Sequence, residues 1–117
     1  MIRGIGVDIA ATERFDNMSD RLLSRLFTEE EIKAAPSKAS EYFASRFAAK
    51  EAFAKAMGTG IKGFSLSDIT VREDENGKPY LFLTGRAEAL ASGLVLHLSL
   101  SHEREMAIAM VVAEDAQ

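Results

Sequence analysis

SRFAAKEAFAKAMGTG, spanning Ser45–Gly60, is the stretch on which the fold turns. It reads as the back end of a helix about four turns long, closed by glycine. The spacing predicts a helix from about Ser40 to Met57, with Gly58 as its C-terminal glycine. Phe43 and Phe47 read as core residues, and Phe53 and Met57 as a second apolar patch. The charges sit oddly for a surface helix, which would gather them on one face. Glu51 shares a face with Ala44, Ala48 and Lys55, by the spacings of three, four and seven that a helix imposes. A carboxylate among alanines can lie close against another element.

The first candidate for that element is the N-terminal segment. Met1 to Ala10 reads as a strand, with Ile5, Val7 and Ile9 on one face and Gly4, Gly6 and Asp8 on the other. Glycine weakens a strand unless something approaches it closely. Two glycines beside an aspartate are expected to leave open space on the acid's own face. Asp8 then has two readings. It caps the next helix, or it is a functional acid that meets Glu51. A bare carboxylate pair repels and raises one pKa. A hard divalent cation removes that problem: Mg²⁺ takes one or two protein carboxylates, keeps waters and completes its shell with substrate phosphate oxygens. Such a site suits phosphoryl-type transfer. Lys55, one turn from Glu51, can reach a phosphate. The same spacing is met by a plain i,i+4 ion pair worth a few tenths of a kcal/mol.

Thr12 to Phe27 reads as one amphipathic helix with Phe15, Leu22, Leu23 and Leu26 on its buried side. Arg14, Met18, Arg21 and Arg25 follow at spacings of four, three and four. This basic stripe either receives an acidic partner helix or is a solvated face partly paired with Asp16 and Asp20. Thr28 and Glu31 form a capping box. A short helix follows, Pro36 stops it, and Ser37–Ser40 is a loop. Gly58–Gly63 matches G-x-G-x-x-G, yet it follows a helix and leads toward a strand, the reverse of a dinucleotide fingerprint. Its backbone amides can still face a phosphate.

Asp68–Glu73 and Tyr80–Leu83 read as strands joined at Asn76-Gly77 into a hairpin. Gly85–Ser92 is a short helix ended by Gly93. In Val95–Ser101, Leu96, Leu98 and Leu100 face one way and His97, Ser99 and Ser101 the other. Met106–Ala113 is nearly all apolar and reads as a central strand. His102, at a strand end, is either a phosphate or proton-transfer group or plain polar surface. The order is strand, three helices, hairpin, helix, hairpin. It predicts an α+β fold with an antiparallel-rich sheet packed on the long helix.

Bulk properties narrow the function. At 117 residues the chain is expected to be a single domain, 1–117, with 47% hydrophobic residues for a core. A chain this short leaves roughly a third of its surface exposed, so oligomerisation is in keeping with its size. A net charge of −4 gives no support to a nucleic-acid partner. The absence of cysteine excludes disulfides, thiolate ligands and a Cys nucleophile, and two histidines are too few for most zinc sites. There is no long apolar run before an N-terminal cleavage site, and no stretch reaches the ~20 apolar residues of a membrane span. No membrane partner and a cytoplasmic location are the default expectation.

Four blocks, in order and spanning nearly the whole chain, carry a resemblance: GIGVDIAATERF (Gly4–Phe15), RFAAKEAFAKAMGTGI (Arg46–Ile61), NGKPY (Asn76–Tyr80) and LSLSHE (Leu98–Glu103). They resemble the signature blocks of holo-acyl-carrier-protein synthase, the small single-domain class of 4′-phosphopantetheinyl transferase. The second block is highly specific; an aspartate after G-I-G alone is not. The resemblance implies transfer of the 4′-phosphopantetheine arm of coenzyme A to a serine of apo-acyl carrier protein, with release of adenosine 3′,5′-bisphosphate. It implies Mg²⁺, and a homotrimer with active sites between subunits. Asp8 and Glu51 match the metal-binding acids, Lys55 the lysine near the pyrophosphate, and His102 a histidine lining the coenzyme A site. Arg46, the turn Gly58-Thr59-Gly60 and the turn Asn76-Gly77-Lys78-Pro79 match positions around the nucleotide. Arg14, Met18, Arg21 and Arg25 match the helix that docks the acidic carrier. The base that takes the serine proton is open between Glu51 acting through water and another nearby group. The segment before Arg46 is short for the family, so the loop at Pro36–Ser40 is trimmed. Two rivals are a phosphopantetheinyl transferase serving other carrier domains and a non-catalytic oligomer that binds a nucleotide with Mg²⁺. The first has a larger class about twice this length in two similar halves; the second would not need the basic stripe on the molecule that bears the acid pair.

Overall fold

The long helix α3 (Ser40–Met57) is buried on most of its faces, because alanine and phenylalanine surround it instead of lining one stripe. The computed structural model describes residues 1–117. Strand β1 (Ile2–Ala11) lies against α3 almost backbone to backbone. A Cβ added at Gly4 would overlap the Ala56 carbonyl oxygen, and one at Gly6 the Ala52 carbonyl oxygen. The Gly6 Cβ would also stand 2.7 Å from the Ala56 amide nitrogen. The space expected beside these glycines is therefore filled by the main chain of α3. Close approach is the reason for glycine at both positions.

Two antiparallel sheets form, not one. In the larger, β5 (Met106–Asp115) lies between β1 and β4 (Leu94–Glu103); in the smaller, β2 (Ile69–Glu73) pairs with β3 (Pro79–Leu83). β5 is central, as its apolar content predicts, but only one of its faces is covered. Ala107, Ala109, Val111 and Ala113 are buried on the α3 side. Met106, Ile108 and Met110 are 41–47% exposed on the other. The register sets Val7 opposite Met110 and Ile9 opposite Ile108, so the apolar side of β1 is open as well. No helix is long and apolar enough to cross a membrane.

The predicted helix over Thr12–Phe27 is broken. A 3-10 turn covers Thr12–Phe15, and α1 starts afresh at Asp20 and runs to Leu26. Ser19 makes the break, since its hydroxyl accepts the Leu22 amide at 3.2 Å and caps α1. Arg14, Met18, Arg21 and Arg25 consequently do not form one helical stripe. Leu22 is exposed and not part of the buried side. The capping box of α2 (Glu29–Ala34) forms as read: Thr28 Oγ1 accepts from the Glu31 amide at 3.2 Å and Glu31 Oε1 from the Thr28 amide at 2.9 Å. Helix α4 (Gly85–Leu90) closes the small sheet's connection. Phe15, Phe27, Phe43 and Phe47 pack in series with ring centroids 4.6–6.0 Å apart. Each buried ring of this kind contributes about 1.5–3 kcal/mol.

Gly6→Ala is expected to destabilise the fold by about 3 kcal/mol, since main chain cannot yield to a new methyl group. Gly93→Ala, at a positive φ of 79° but in open space, should cost only about 1–2 kcal/mol. Urea denaturation of both variants checks the ranking.

Candidate functional site

Asp8 follows Gly6 on the face of β1 that meets α3, and its neighbour across β5 is Ala109. Lys55, in the last turn of α3, donates to Asp8 Oδ1 at 3.2 Å and to the Val7 carbonyl at 3.0 Å. Lys55 thus pairs across elements with Asp8 and not along its own helix with Glu51. Glu51 is half-buried nearby. Burial first, and then the negative charge of Asp8, push its carboxyl above the ordinary range, while Lys55 and Arg14 pull partly against this. The β1–α3 contact sets Asp8 near enough to Glu51 for their charges to interact, one of the two readings the sequence left open. Asp8, Glu51, Lys55 and Arg14 form one charged cluster. Arg14 reaches it because its guanidinium lies over the Phe47 ring, 5.0 Å from the centroid.

No group of three His, Cys, Asp or Glu converges anywhere in the chain. Asp8 and Glu51 can therefore offer two hard oxygen donors, leaving other positions of a cation's shell to water and to a ligand. That donor set fits Mg²⁺, which holds few protein carboxylates and retains waters.

Arg46 and His102 line a separate cleft of about 630 Å³, together with Lys38, Tyr42 and Arg72. Arg46 stacks over Tyr42 at 4.0 Å and donates to Glu73 Oε2 at 3.2 Å and to Ser45 Oγ at 3.1 Å. Its Nε is buried with no acceptor. A buried donor left unpaired is costly, and an oxygen of a bound anion would satisfy it. His102 Nδ1 lies 3.0 Å from Glu41 Oε1. Arg72 forks onto Glu30 with two 2.9 Å bonds and lies over Phe82. Within one chain no hydrogen bond or ion pair links this cleft to the acid pair.

The other expected positions occupy turns and one helix. Gly58 and Gly60 adopt positive φ angles of 73° and 61°, and Thr59 between them donates to the Gly60 carbonyl at 2.9 Å. Asp74 organises the Asn76–Pro79 turn: its Oδ1 accepts the amides of Asn76 at 2.8 Å and Lys78 at 2.9 Å, and Gly77 takes a φ of 80°. Arg21 and Arg25 are exposed one turn apart on α1, whereas Met18 packs against the core.

Sequence reasoning missed a buried ion pair. Lys50 and Glu31 have no exposed side-chain surface and meet at 2.6 Å. The signal was present: Lys50 lies seven residues from both Phe43 and Met57, on one face of α3 with two apolar residues.

The model of the 4′-phosphopantetheinyl transferase superfamily matches residues 4–111. The chain is 48% identical to the holo-acyl-carrier-protein synthase of Halothermothrix orenii, over 98% of this chain and 99% of that one. The crystal structure of the Bacillus anthracis holo-acyl-carrier-protein synthase in complex with CoA (3′,5′-ADP) superimposes with a TM-score of 0.85 at 43% identity, covering 99% of each chain. The synthase of Neisseria meningitidis superimposes with a TM-score of 0.87 at 40% identity, over 98% of this chain and all of that one.

A carboxyl held above its ordinary value is harder to ionise in the fold than in the unfolded chain. Glu51 therefore favours the fold most at low pH, and that contribution falls as pH rises from the ordinary value of 4.5 through the raised one. In metal-free buffer, Glu51→Gln should flatten this fall and match or exceed the parent chain's stability at neutral pH. Urea titrations across the acidic range measure it.

Proposed function

Because the chain belongs to the 4′-phosphopantetheinyl transferase superfamily, and within it to the holo-acyl-carrier-protein synthases, we infer that it transfers the 4′-phosphopantetheine group of coenzyme A to a serine of apo-acyl carrier protein. The products are holo-acyl carrier protein, armed for fatty acid biosynthesis, and adenosine 3′,5′-bisphosphate. The observation that supports this most is the carboxylate pair Asp8 and Glu51 with the Lys55 ammonium on its edge.

Asp8 and Glu51 would hold Mg²⁺. A cation held there would neutralise pyrophosphate charge and polarise the phosphorus under attack. Lys55, whose side chain is 55% exposed, is assigned to the leaving phosphate, where a fixed positive charge stabilises the transition state. The serine oxygen attacks the phosphorus bearing the pantetheine arm, its proton passing to a base that is either Glu51 acting through water or another nearby group, and the bond to the nucleotide phosphate breaks so that adenosine 3′,5′-bisphosphate leaves. His102, Arg46 with its unpaired Nε, the Gly58–Gly60 turn and the Asn76–Pro79 turn are assigned to the nucleotide. Arg21 and Arg25 are assigned to docking an acidic carrier, with Arg14 between them and the acid pair. Met18 supports the docking segment from inside.

The open apolar face of β1 and β5 supports a homotrimer. A patch containing Ile5, Val7, Ile9, Met106, Ile108 and Met110, each more than 40% exposed, is unusual for a chain that stays alone. Pairing through it would let the Arg46 cleft of one subunit complete the acid pair of the next. The reading carries a cytoplasmic location with it, and neither a nucleic-acid nor a membrane partner.

Incubation with apo-carrier protein, coenzyme A and Mg²⁺ should raise the carrier's intact mass by one phosphopantetheine; a folded sample that leaves the mass unchanged refutes the transfer. Reversing the charge at Arg21 and Arg25 should raise KM for the carrier by about tenfold while leaving that for coenzyme A within about twofold. Equal effects on both would remove the docking assignment. Light scattering should give three chain masses, and Val7→Asp with Met110→Asp should return one.

A further inference from the structure

We propose that Lys50 is a positioning residue that ties the carrier-docking helix α1 to the acid pair through α3. The proposal rests on the transferase reading for the roles of α1 and Glu51. Its geometry stands independently. The Lys50 ammonium, fully buried, donates to three acceptors from three elements: Glu31 Oε1 at 2.6 Å, the Leu26 carbonyl at 3.0 Å and the Leu66 carbonyl at 3.2 Å. Leu26 is the last residue of α1. Its carbonyl belongs to the final turn of that helix, where acceptors lack an intrahelical donor. Lys50 supplies the missing donor and immediately precedes Glu51 in the chain. One side chain therefore fixes the end of the helix carrying Arg21 and Arg25 relative to the helix carrying Glu51.

Glu31 is held separately from Lys50. Its Oε2 accepts the Val71 amide at 2.9 Å, its Oε1 the Thr28 amide at 2.9 Å, and its carbonyl the Tyr42 hydroxyl at 2.6 Å. A glutamine at position 31 keeps one side-chain oxygen, enough for the Thr28 amide, while its amide nitrogen replaces the acceptor of the Val71 amide. The Leu26 carbonyl takes its side-chain hydrogen bond from Lys50, while the buried Phe27 that follows holds the end of α1 by packing. Removing the pair should loosen docking more than it disturbs the nucleotide cleft.

Lys50→Met alone strands a buried carboxylate and is expected to fold poorly. The double variant Lys50→Met with Glu31→Gln removes both charges and is the test. Amide hydrogen exchange needs no substrate: in the double variant, amides of residues 20–27 should exchange at least about tenfold faster while those of β5 keep their protection. In steady state, KM for the carrier should rise about tenfold more than KM for coenzyme A. Unchanged exchange in α1, or a folded double variant with wild-type constants for both substrates, overturns the proposal. If the parent chain transfers nothing while the exchange result holds, the transferase reading fails and the tether stands.

Discussion

The distance between β1 and α3 is the constraint on which everything else depends. Gly4 and Gly6 let a strand lie on the carbonyls of Ala52 and Ala56, closer than any side chain would permit. Three consequences follow from that one contact. The alanines of α3 are needed because bulkier residues would part the two backbones. Asp8, next on the same face of β1, is delivered to the flank of α3 where Glu51 and Lys55 emerge. Glu51 is desolvated enough, and near enough to Asp8, for its carboxyl to be held above its usual range. A carboxyl raised in this way is relieved by a positive ligand, and functional acids are found in environments of this kind.

Local rules made much of this legible. The period of two in β1 and β4, the capping box at Thr28, the glycine turns and the order of elements all depend on neighbours in sequence, and all appear in the structure. The meeting of Asp8 and Glu51 was legible because both acids sit among residues too small to hold them apart. What was not legible depends on partners distant in sequence. Arg14 to Arg25 keep helical spacing, yet Ser19 and the packing of Phe15 split the segment in two. Lys50 looked like another charge on a helix; only the arrival of α2 and the Leu66 carbonyl turns it into a buried donor. An all-apolar β5 suggested cover on two faces, and the single chain supplies one.

The same contrast separates the two halves of the site. Asp8 and Glu51 meet within one chain, whereas the Arg46 cleft has a buried donor without an acceptor and no bond to the acids. An open apolar face lies on the opposite side of the sheet from α3.

The cation site assigned to Asp8 and Glu51 depends on the β1–α3 contact. Calorimetric titration of coenzyme A with and without Mg²⁺ tests it most directly, in the parent chain, Asp8→Asn, Glu51→Gln and the double variant. The account predicts that either single substitution removes the magnesium dependence of binding and that the double removes no more, since residues acting as a unit are not additive. Independent, additive losses, or a single variant that retains the full magnesium dependence, would contradict it.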